Sequence, residues 1–488
     1  MCVSTRDVVV AIDCGTSSTK AIAVDSEGKI VARASAPLAL QTPQPGWVEH
    51  GAEDVVASVD RAIADITQQV DPNTIAAVGL SNQRESLVMW NRSTGEAMSP
   101  VLSWQDRRAT AIAQKLSAAG HADRVRAVSG LPLDPMFSAV KATWMFDTYD
   151  PARTEDTVLG TVDSWVIHSL CGVHVTEPGN ASRTSLIDLD TGQWSKELLE
   201  IFNVPLSALP QIGPSAREDL RIIVGPLAGI PLSGIAGDSH AALFAHRGWT
   251  PGTAKVTLGT GASVMVAVDK DTDSPDVCRT IGWQLPGEEP TRALEANILS
   301  AGATVAWLAN TLGLSPSELA DEASDETDVV IVPAFDGLGA PWWDPEASAI
   351  IENLSLSTTR GDLARAALDS VAQQIADVTD AFSAAGVDVT NLITDGSMVE
   401  NYSLIESIAV ASGLALDVSE SPEASALGAA DLAGLGIGMW SKADLAARDR
   451  GYRRVEVSTM PDERLLKRAQ WRASVEQARS RSRRGSTE

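Results

Sequence analysis

The chain has 488 residues, more than one hydrophobic core usually organises, so two domains are expected. Apolar residues make up 44% of the chain and charged residues 21%, which is typical of a globular protein in water. The formal net charge of −26 argues against a nucleic-acid partner, because phosphates would be repelled over most of the surface. A neutral substrate meets no such repulsion, whereas a nucleotide would need a locally positive or metal-neutralised site.

Neither disulfides nor membrane segments are indicated. The four cysteines are scattered and form no CxxC pair: Cys2, Cys14, Cys171 and Cys278. The histidines show no metal-ligand spacing, so a zinc site is not expected. The first apolar run follows Arg6 and Asp7 and is broken by Asp13, unlike a signal peptide, and no run reaches about 18 apolar residues. We therefore expect a cytoplasmic protein with no membrane association.

The first half of the chain contains four predicted elements that bear on function. Residues 8–25 form a strand, a turn rich in Gly, Ser and Thr, and a second strand. Apolar residues on one face predict a helix over 53–70. A short apolar strand over 75–80 then delivers the polar run 82–85 to its carboxyl end. A further strand, 233–236, leads through a Gly-Asp pair into a helical run.

The second half repeats part of this plan. Residues 254–268 again predict strand, Gly/Thr turn and strand, which suggests two structurally related halves. A buried strand is predicted over 329–333, a long amphipathic helix over 362–382, and a strand over 392–394 before an Asp-Gly-Ser turn. Strands alternating with helices predict an α/β fold with ligands at the carboxyl ends of the strands. The tail after Gln477, rich in Arg and Ser, is predicted to be disordered.

Two turns have the composition needed to bind phosphate. The GxxxxGK[ST] loop and a GxGxxG turn opening a helix are both absent. A Gly/Thr/Ser turn between strands can instead present N–H groups and hydroxyls to phosphate oxygens. The residues in such turns, with one nearby cation, are Gly15, Thr16, Ser17, Ser18, Lys20, Gly259, Thr260 and Gly261. Each turn taken alone is equally compatible with an ordinary hairpin.

Five further side chains are candidates for the chemistry, each with a structural alternative. Asp13 ends its strand where a carboxylate could act on hydrated magnesium, or simply stabilise the turn. Asp238 lies between strand and helix and would serve as general base or as an N-cap. Arg84 and Glu85 offer donors and acceptors to vicinal hydroxyls, or form a solvated ion pair. Trp104 would pack on a polyol or in the core.

Many motifs along the chain together resemble the FGGY family of carbohydrate kinases, and its glycerol kinase branch most closely. They include AIDCGTSSTKAI, NQRES, SWQDRR, SGIAGDSHAALF, GTAKVTLGTGAS, VPAFDGLGAPWWDP and SALGAADLAGLGIG, in collinear order. The resemblance implies two actin-like (ribonuclease H-like) α/β domains with the active site in the cleft between them. It implies an N-terminal domain over 1–247, a nucleotide-binding C-terminal domain over 248–445, and a helical then disordered extension over 446–488.

The resemblance also assigns roles to individual positions. Asp13 and Asp238 match the magnesium-associated carboxylates, and Asp238 also matches the catalytic base. Arg84, Glu85, Trp104, Met136 and Ser239 match polyol-binding positions. The two Gly/Thr turns match the phosphate loops. The part that holds the adenosine corresponds to Gly302, Asp395, Gly396, Ser397 and Asn401.

The departures from the glycerol kinase pattern concern the substrate pocket above all. Met136 stands where tyrosine is usual, Ser239 where glutamine is usual, and Ser263 where phenylalanine is usual. The adenosine turn has Ser397 in place of a second glycine. The Gly-rich, Arg-containing loop that binds a sugar bisphosphate regulator in some bacterial glycerol kinases has no counterpart between 215 and 234. Because three pocket positions change, we hypothesise a longer acceptor of four or five carbons.

The sequence therefore predicts a cytoplasmic kinase that uses ATP and Mg²⁺ to phosphorylate a primary hydroxyl of a small neutral polyol or sugar. Two alternatives stay open at this point. One is a kinase for erythritol, xylitol, xylulose or ribulose, and the other is a non-catalytic nucleotide-binding regulator on the same fold. A nucleic-acid or membrane partner is not expected, and either a homodimer or a homotetramer is compatible with the resemblance.

Overall fold

The computed structural model describes residues 6–270, 272, 274–458 and 461–485. Its strands are β1 (Val8–Cys14), β2 (Ser18–Val24), β3 (Ile30–Pro37), β4 (Glu49–His50), β5 (Ile75–Asn82), β6 (Leu87–Asn91), β7 (Val101–Leu102), β8 (Thr157–Thr161), β9 (Val175–Thr176), β10 (Ile187–Asp188), β11 (Gln193–Trp194), β12 (Gln211–Ile212), β13 (Leu232–Gly237), β14 (Thr253–Leu258), β15 (Ala262–Val268), β16 (Cys278–Trp283), β17 (Thr291–Ile298), β18 (Val330–Val332), β19 (Ile350–Glu352), β20 (Asn391–Gly396), β21 (Leu416–Ser419) and β22 (Tyr452–Val455). Its α-helices are α1 (Ala52–Gln69), α2 (Thr110–Ala118), α3 (Ala122–Ser129), α4 (Ser138–Tyr149), α5 (Val162–Cys171), α6 (Pro178–Ser182), α7 (Lys196–Phe202), α8 (Asp238–Ala245), α9 (Gly302–Leu312), α10 (Pro316–Asp321), α11 (Arg360–Ala384), α12 (Tyr402–Ser412), α13 (Ala424–Gly436), α14 (Lys442–Ala447) and α15 (Pro461–Gly485).

The described residues group into two compact units, each built from more than one stretch of chain. The first unit comprises the residues up to Arg247 together with Arg279–Ala293 and Glu423–Arg448. The second unit comprises Gly248–Cys278, Leu294–Pro422 and the residues from Asp449 onward.

A five-stranded sheet organises the first unit, in the order β13-β5-β1-β2-β3. The predicted strand–turn–strand over residues 8–25 is confirmed as the antiparallel pair β1 and β2. β5 runs parallel to β1, and β13 runs parallel to β5. The carboxyl ends of β1, β5 and β13 therefore meet at one edge, where Asp13 pairs in register with Ser81 and Gly237 with Asn82.

Helices cover both faces of this sheet. The predicted helix over 53–70 is confirmed as α1, which packs on β2 and β3. On the other face α13 packs against β5, β13 and α8. Glycines make this approach possible, because a Cβ at Gly79 would lie 2.2 Å from the Ala429 carbonyl oxygen and one at Gly428 would lie 1.8 Å from that of Ala241. The small residues of α13 thus allow backbone-to-backbone packing.

A second sheet in the first unit, ordered β4-β7-β6-β8, supports helix α4. α4 is buried along most of its first half, where Ala139, Val140 and Ala142 join a core with Met89 and Leu159. One charged residue, Lys141, lies in the same buried stretch and is fully inaccessible to solvent.

The second unit repeats the hairpin-and-parallel-strand plan. Five consecutive strands of its sheet follow the order β15-β14-β20-β21-β22, with β14 antiparallel to β15 and parallel to β20. This confirms the hairpin predicted over 254–268, and α11 confirms the long helix predicted over 362–382. α11 packs on α9 and α12 around the core of this unit.

The C-terminal segment corrects one prediction. Helix α15 continues to Gly485, whereas the sequence predicted disorder after Gln477. The physical reason is the helical spacing of Trp471, Val475 and Ala478, which are buried against a cluster that includes Val332. Trp471 Nε1 also donates a hydrogen bond of 2.7 Å to Asp377 Oδ2. The end of the predicted tail, 486–488, and Cys2 lie outside the described residues.

The contact between α13 and α8 leads to a stability prediction. We expect Gly428→Ala to lower the free energy of unfolding by about 3 kcal/mol, because the new methyl group would overlap the Ala241 carbonyl and force the helices apart. Gly282→Ala is the matched control, since a Cβ at that buried position meets its nearest atom at 3.5 Å, an ordinary contact. Chemical denaturation of both variants measures the difference, and equal stabilities would contradict the close packing.

Candidate active site

Asp13 lies at the carboxyl end of β1, at the sheet edge defined above. Ser81 Oγ on β5 donates a hydrogen bond of 2.8 Å to Asp13 Oδ1. The carboxylate keeps some accessible surface, but protein atoms pack densely around its other sides. This desolvation is the main reason that the pKa of Asp13 is raised to about 6. The hydrogen bond from Ser81 and the charge of Lys20 lower the pKa, while the charge of Asp238 raises it. Asp13 is thus a desolvated carboxylate close to a second one.

Asp238 opens helix α8 directly after β13, and its side chain is 38% exposed. Gly237 occupies the N-cap position, so Asp238 is not the cap that was the structural alternative. Arg84 Nε donates to Asp238 Oδ1 over 3.1 Å, and the Ser239 backbone N–H donates to the same oxygen over 2.6 Å. The Arg84 side chain is only 7% exposed. A buried guanidinium therefore fixes the orientation of an accessible carboxylate.

Glu85 is held in an unusual backbone conformation beside Arg84. Its φ of 61° lies in the left-handed region that non-glycine residues seldom adopt. The Glu85 Oε1 atom accepts a hydrogen bond of 2.6 Å from Arg183 Nε, and both side chains are buried. Arg183 also lies 5.2 Å from the ring centroid of Phe137. The strained turn and the buried ion pair together fix where the Glu85 carboxylate points.

The first predicted phosphate turn is placed next to Trp104. Gly15 N–H donates to the Ser18 carbonyl over 3.0 Å and closes the turn. Trp104 Nε1 donates to Thr16 Oγ1 over 3.1 Å, and the Trp104 side chain is exposed rather than part of the core. Lys20 Nζ lies 3.3 Å from Glu423 Oε2 and is partly exposed. The turn thus has a cation and an aromatic surface beside it.

The two departures at the predicted polyol positions are both buried in this unit. Met136 and Ser239 each expose 9% of their surface. Met136 N–H donates to Asp134 Oδ1 over 2.7 Å, and its carbonyl accepts from Lys141 Nζ over 2.5 Å. The structure therefore brings every predicted acceptor-side residue into the first unit, where most are joined by hydrogen bonds.

The second phosphate turn and the predicted adenosine residues lie together in the second unit. The turn 259–261 follows β14, and its Gly259 and Thr260 carbonyls accept hydrogen bonds from the first residues of α9. Gly302 N–H donates to the Gly259 carbonyl over 3.0 Å, and a Cβ at Gly302 would lie 2.5 Å from that oxygen. Only glycine fits this approach, so the turn and the helix start are locked together.

The Asp-Gly-Ser turn ends β20, the parallel neighbour of β14. Gly396 has a φ of 102°, and a Cβ there would lie 2.3 Å from the Leu258 carbonyl oxygen. Ser397 follows, and Asn401 caps α12 by accepting from Leu404 N–H over 3.0 Å. Ser263 Oγ on β15 lies 3.5 Å from Glu295 Oε1, whose side chain is buried. The turn after β14 and the turn after β20 thus lie side by side at neighbouring strand ends of the second unit.

Four residues with clear structural roles were missed by the sequence reasoning. Ser81 could have been found from its place at the end of a strand parallel to that of Asp13, and Arg183 from the NASRTSL stretch that contains it. Lys141 carried a signal too, since it interrupts an otherwise apolar helix face. Glu423 carried none, because its contact with Lys20 joins residues 403 positions apart.

Comparison with known proteins identifies the family. Residues 8–245 match the FGGY family of carbohydrate kinases, N-terminal domain, and residues 254–437 match the C-terminal domain of the same family. The chain belongs to the FGGY family of carbohydrate kinases. It is 39% identical over 491 residues to glycerol kinase of Aromatoleum aromaticum, covering 96% of this chain and 98% of that protein. It is 36% identical over 502 residues to glycerol kinase of Bordetella pertussis, covering 98% of each.

Solved structures of this family have the same fold. Plasmodium falciparum glycerol kinase with ADP superposes with a TM-score of 0.91 at 28% identity, covering 97% of this chain and 98% of that one. Gluconate kinase of Lactobacillus acidophilus, at 21% identity and a TM-score of 0.88, covers 97% and 98% and shows the fold alone. The predicted two-domain α/β fold is confirmed. This FGGY kinase is a phosphotransferase that uses ATP to phosphorylate a polyol or sugar.

In the described ranges, no helix of this FGGY kinase has the length and apolar character needed to cross a bilayer. Within the same ranges there is also no group of three or more His, Cys, Asp or Glu side chains arranged to hold a metal ion.

The buried pair of Arg183 and Glu85 generates a testable contrast. We expect Arg183→Met to lower the free energy of unfolding by about 3–5 kcal/mol, because it leaves the buried Glu85 carboxylate without this partner. Arg124→Met is the control, since its ion pair with Glu197 has both side chains exposed, and it should change stability little. Urea denaturation of both variants measures the free energy of unfolding. A small effect of Arg183→Met would show that other groups balance the Glu85 charge.

Proposed function

We propose that this FGGY kinase transfers the γ-phosphoryl group of ATP to a primary hydroxyl of glycerol. The full-length relatives at 36–40% identity are glycerol kinases, which supports glycerol over longer acceptors. The observation that carries the proposal is the accessible Asp238 carboxylate, oriented by a buried arginine beside the desolvated Asp13. A binding module has no need of such a carboxylate, so a non-catalytic regulator is not favoured.

Asp238 acts as the general base in this proposal. Both of its hydrogen bonds, from Arg84 Nε and Ser239 N–H, are made to Oδ1. Oδ2 is then the oxygen that takes the proton of the attacking hydroxyl. Arg84 holds the carboxylate in one orientation through a hydrogen bond from a charged donor. The base is thereby positioned before the acceptor arrives, which saves reorganisation during the reaction.

Acceptor recognition uses Arg84, Glu85 and Trp104 in this proposal. The Arg84 guanidinium donates to hydroxyl groups and the Glu85 carboxylate accepts from them, while the exposed Trp104 ring covers the carbon edge. Met136 offers no side-chain hydrogen bond, and Ser239 offers only a short hydroxyl. Glycerol should therefore bind more weakly than it would with the tyrosine and glutamine usual at these positions.

The nucleotide half of the reaction is assigned to the turns. Backbone and hydroxyl groups of the first phosphate turn, with Lys20, and of the second turn would bind phosphate oxygens. The residues assigned to these two turns are Thr16, Ser17, Ser18, Lys20, Gly259, Thr260 and Gly261. The adenosine is assigned to the surface around Gly302, Gly396, Ser397 and Asn401. The ADP in the Plasmodium falciparum structure supports a nucleotide site in this family.

Magnesium is proposed as the accompanying cation. Asp13 and Asp238 would hold it, through carboxylate oxygens of the kind that Mg²⁺ prefers. The fit is supported by Asp13, whose desolvated carboxylate is destabilised further by the charge of Asp238, because a cation between them would relieve both effects. When bound, Mg²⁺ neutralises negative charge on the phosphates.

The remaining assignments follow from this chemistry. We propose that residues 1–247 supply the acceptor site and first phosphate turn, that 248–445 supply the nucleotide site, and that 446–488 form an extension. A cytoplasmic setting is proposed because the reaction consumes ATP and because Cys14 and Cys171 are free thiols. A homodimer or homotetramer is proposed from the family resemblance.

The role of Asp238 is tested by Asp238→Asn. We expect kcat to fall by about 10²–10⁴-fold, because an amide cannot accept the hydroxyl proton, while the KM for ATP changes little. Asp65→Asn on the exposed face of α1 is the control and should retain full activity. Coupled measurement of ADP release with magnesium-ATP gives both constants. A variant that keeps wild-type kcat would remove Asp238 from the chemistry.

The choice of acceptor is tested with glycerol, erythritol, the pentitols, xylulose and ribulose. We expect glycerol to give the highest kcat/KM. Met136→Tyr with Ser239→Gln should lower the glycerol KM about tenfold, the effect of about one restored buried hydrogen bond. Steady-state kinetics on the wild type and the double variant supply the values. A clear preference for a four- or five-carbon acceptor would instead support the longer-substrate hypothesis.

A further inference from the structure

Lys141 is a buried cation inside the first unit. It lies in the first turn of α4 and is completely inaccessible to solvent. Its Nζ donates to two main-chain carbonyl oxygens, that of Met136 over 2.5 Å and that of Glu85 over 3.3 Å. Neither acceptor is a carboxylate. Burying an ammonium group against carbonyls has a cost in folding free energy, so stability does not explain why a lysine lies at this position.

The two acceptors belong to different segments of the acceptor site. Glu85 lies in the turn that follows β5, and Met136 lies in the loop that precedes α4. Glu85 has left-handed backbone geometry, which persists only where the surroundings hold it. Its carbonyl accepts from Ser138 Oγ over 2.9 Å as well as from Lys141. Two donors of α4 thus bind the Glu85 carbonyl oxygen, and Lys141 also binds the carbonyl oxygen of Met136.

We infer that Lys141 is a positioning residue for the acceptor polyol: its ammonium group ties the Glu85 turn to the Met136 loop and sets the width of the site. The inference rests on the proposed function and names a determinant of acceptor affinity within that same site. Lys141 itself touches neither the nucleotide residues nor Asp238 through a hydrogen bond. Its loss should therefore act on polyol binding rather than on the chemical step.

The charge of Lys141 adds a second observable. Desolvation lowers its pKa from 10.5 to about 7; the facing carboxylates of Glu85, Asp106 and Asp134 oppose this, and Arg107 adds to it. The protonated group donates to the two carbonyls through charge-assisted hydrogen bonds, whereas the neutral amine can make only weaker, uncharged ones. The tie should therefore weaken, and the polyol KM should rise, as pH increases through about 7.

Stability should follow the opposite trend with pH. The folded-state pKa of Lys141 lies below the unfolded value, so the unfolded chain binds the extra proton between about 7 and 10.5. Raising pH through this window makes the Lys141 contribution to folding more favourable. A purely structural lysine would therefore change the stability with pH but leave the glycerol KM of the folded enzyme unchanged.

The test compares Lys141→Met with Lys115→Met, a control that removes an exposed lysine from α2 of the same unit. We expect Lys141→Met to raise the glycerol KM about tenfold, with kcat and the ATP KM within about twofold of wild type. The wild-type glycerol KM should rise between pH 6 and 8.5, and that of Lys141→Met should stay flat. Lys115→Met should match the wild type throughout, and thermal unfolding at each pH checks folding.

The outcomes separate the positioning role of Lys141 from the proposed kinase function. An unchanged glycerol KM in Lys141→Met would overturn the inference, as would a joint change of kcat and both KM values with lowered thermal stability. If Lys141→Met does not fold, Ser138→Ala and the wild-type pH profile replace it: a raised glycerol KM in the first and a rising KM in the second support the tie, and their absence overturns it. A wild type that phosphorylates no acceptor would overturn the proposed function and the inference with it.

Discussion

The contact between Arg84 and Asp238 is the constraint on which the acceptor half of this kinase depends. It joins Arg84, in the turn after β5, to Asp238, which directly follows β13; the two strands are parallel neighbours. Because Arg84 is almost fully buried, its charge needs a partner, and Asp238 supplies one while remaining accessible. The same pair thereby meets a folding requirement and the requirement of the proposed catalytic role of Asp238. The geometry of the sheet edge then places Asp13 nearby without any further contact.

Local charge balance explains how a protein of net charge −26 can handle a polyanionic nucleotide. Around the first phosphate turn, the carboxylates of Asp13, Asp238 and Glu423 face the cations Lys20 and Arg84. The proposed Mg²⁺ would offset this excess of one carboxylate together with the charge of the phosphates. The global charge then acts mainly on solubility and partners, while the proposed nucleotide site depends on this local set of charges.

Much of the fold was predictable, because strands and helices leave periodic patterns in the sequence. Both hairpins, α1 and α11 were predicted within a few residues, and so was the position of Asp238 between strand and helix. Asp13 and Arg84 were also predicted to lie at the carboxyl ends of strands, as the structure has them. Contacts set by tertiary folding were not predictable, such as that of Lys20 with Glu423, whereas Arg183 was overlooked although it lies in the NASRTSL stretch. The helical tail was mispredicted because composition outweighed the spacing of three apolar residues.

The packing of α13 has a consequence for how the protein is made. The first unit contains Glu423–Arg448, and its sheet lies directly against α13 at Gly79 and Gly234. During synthesis, the strands β1, β5 and β13 leave the ribosome long before that helix exists. One face of their sheet therefore stays uncovered until roughly the last eighth of the chain is made. Synthesis adds about 5–20 residues per second. A contact that forms so late between residues so far apart in sequence slows folding. The uncovered sheet of the nascent N-terminal half is then a surface that chaperones can bind.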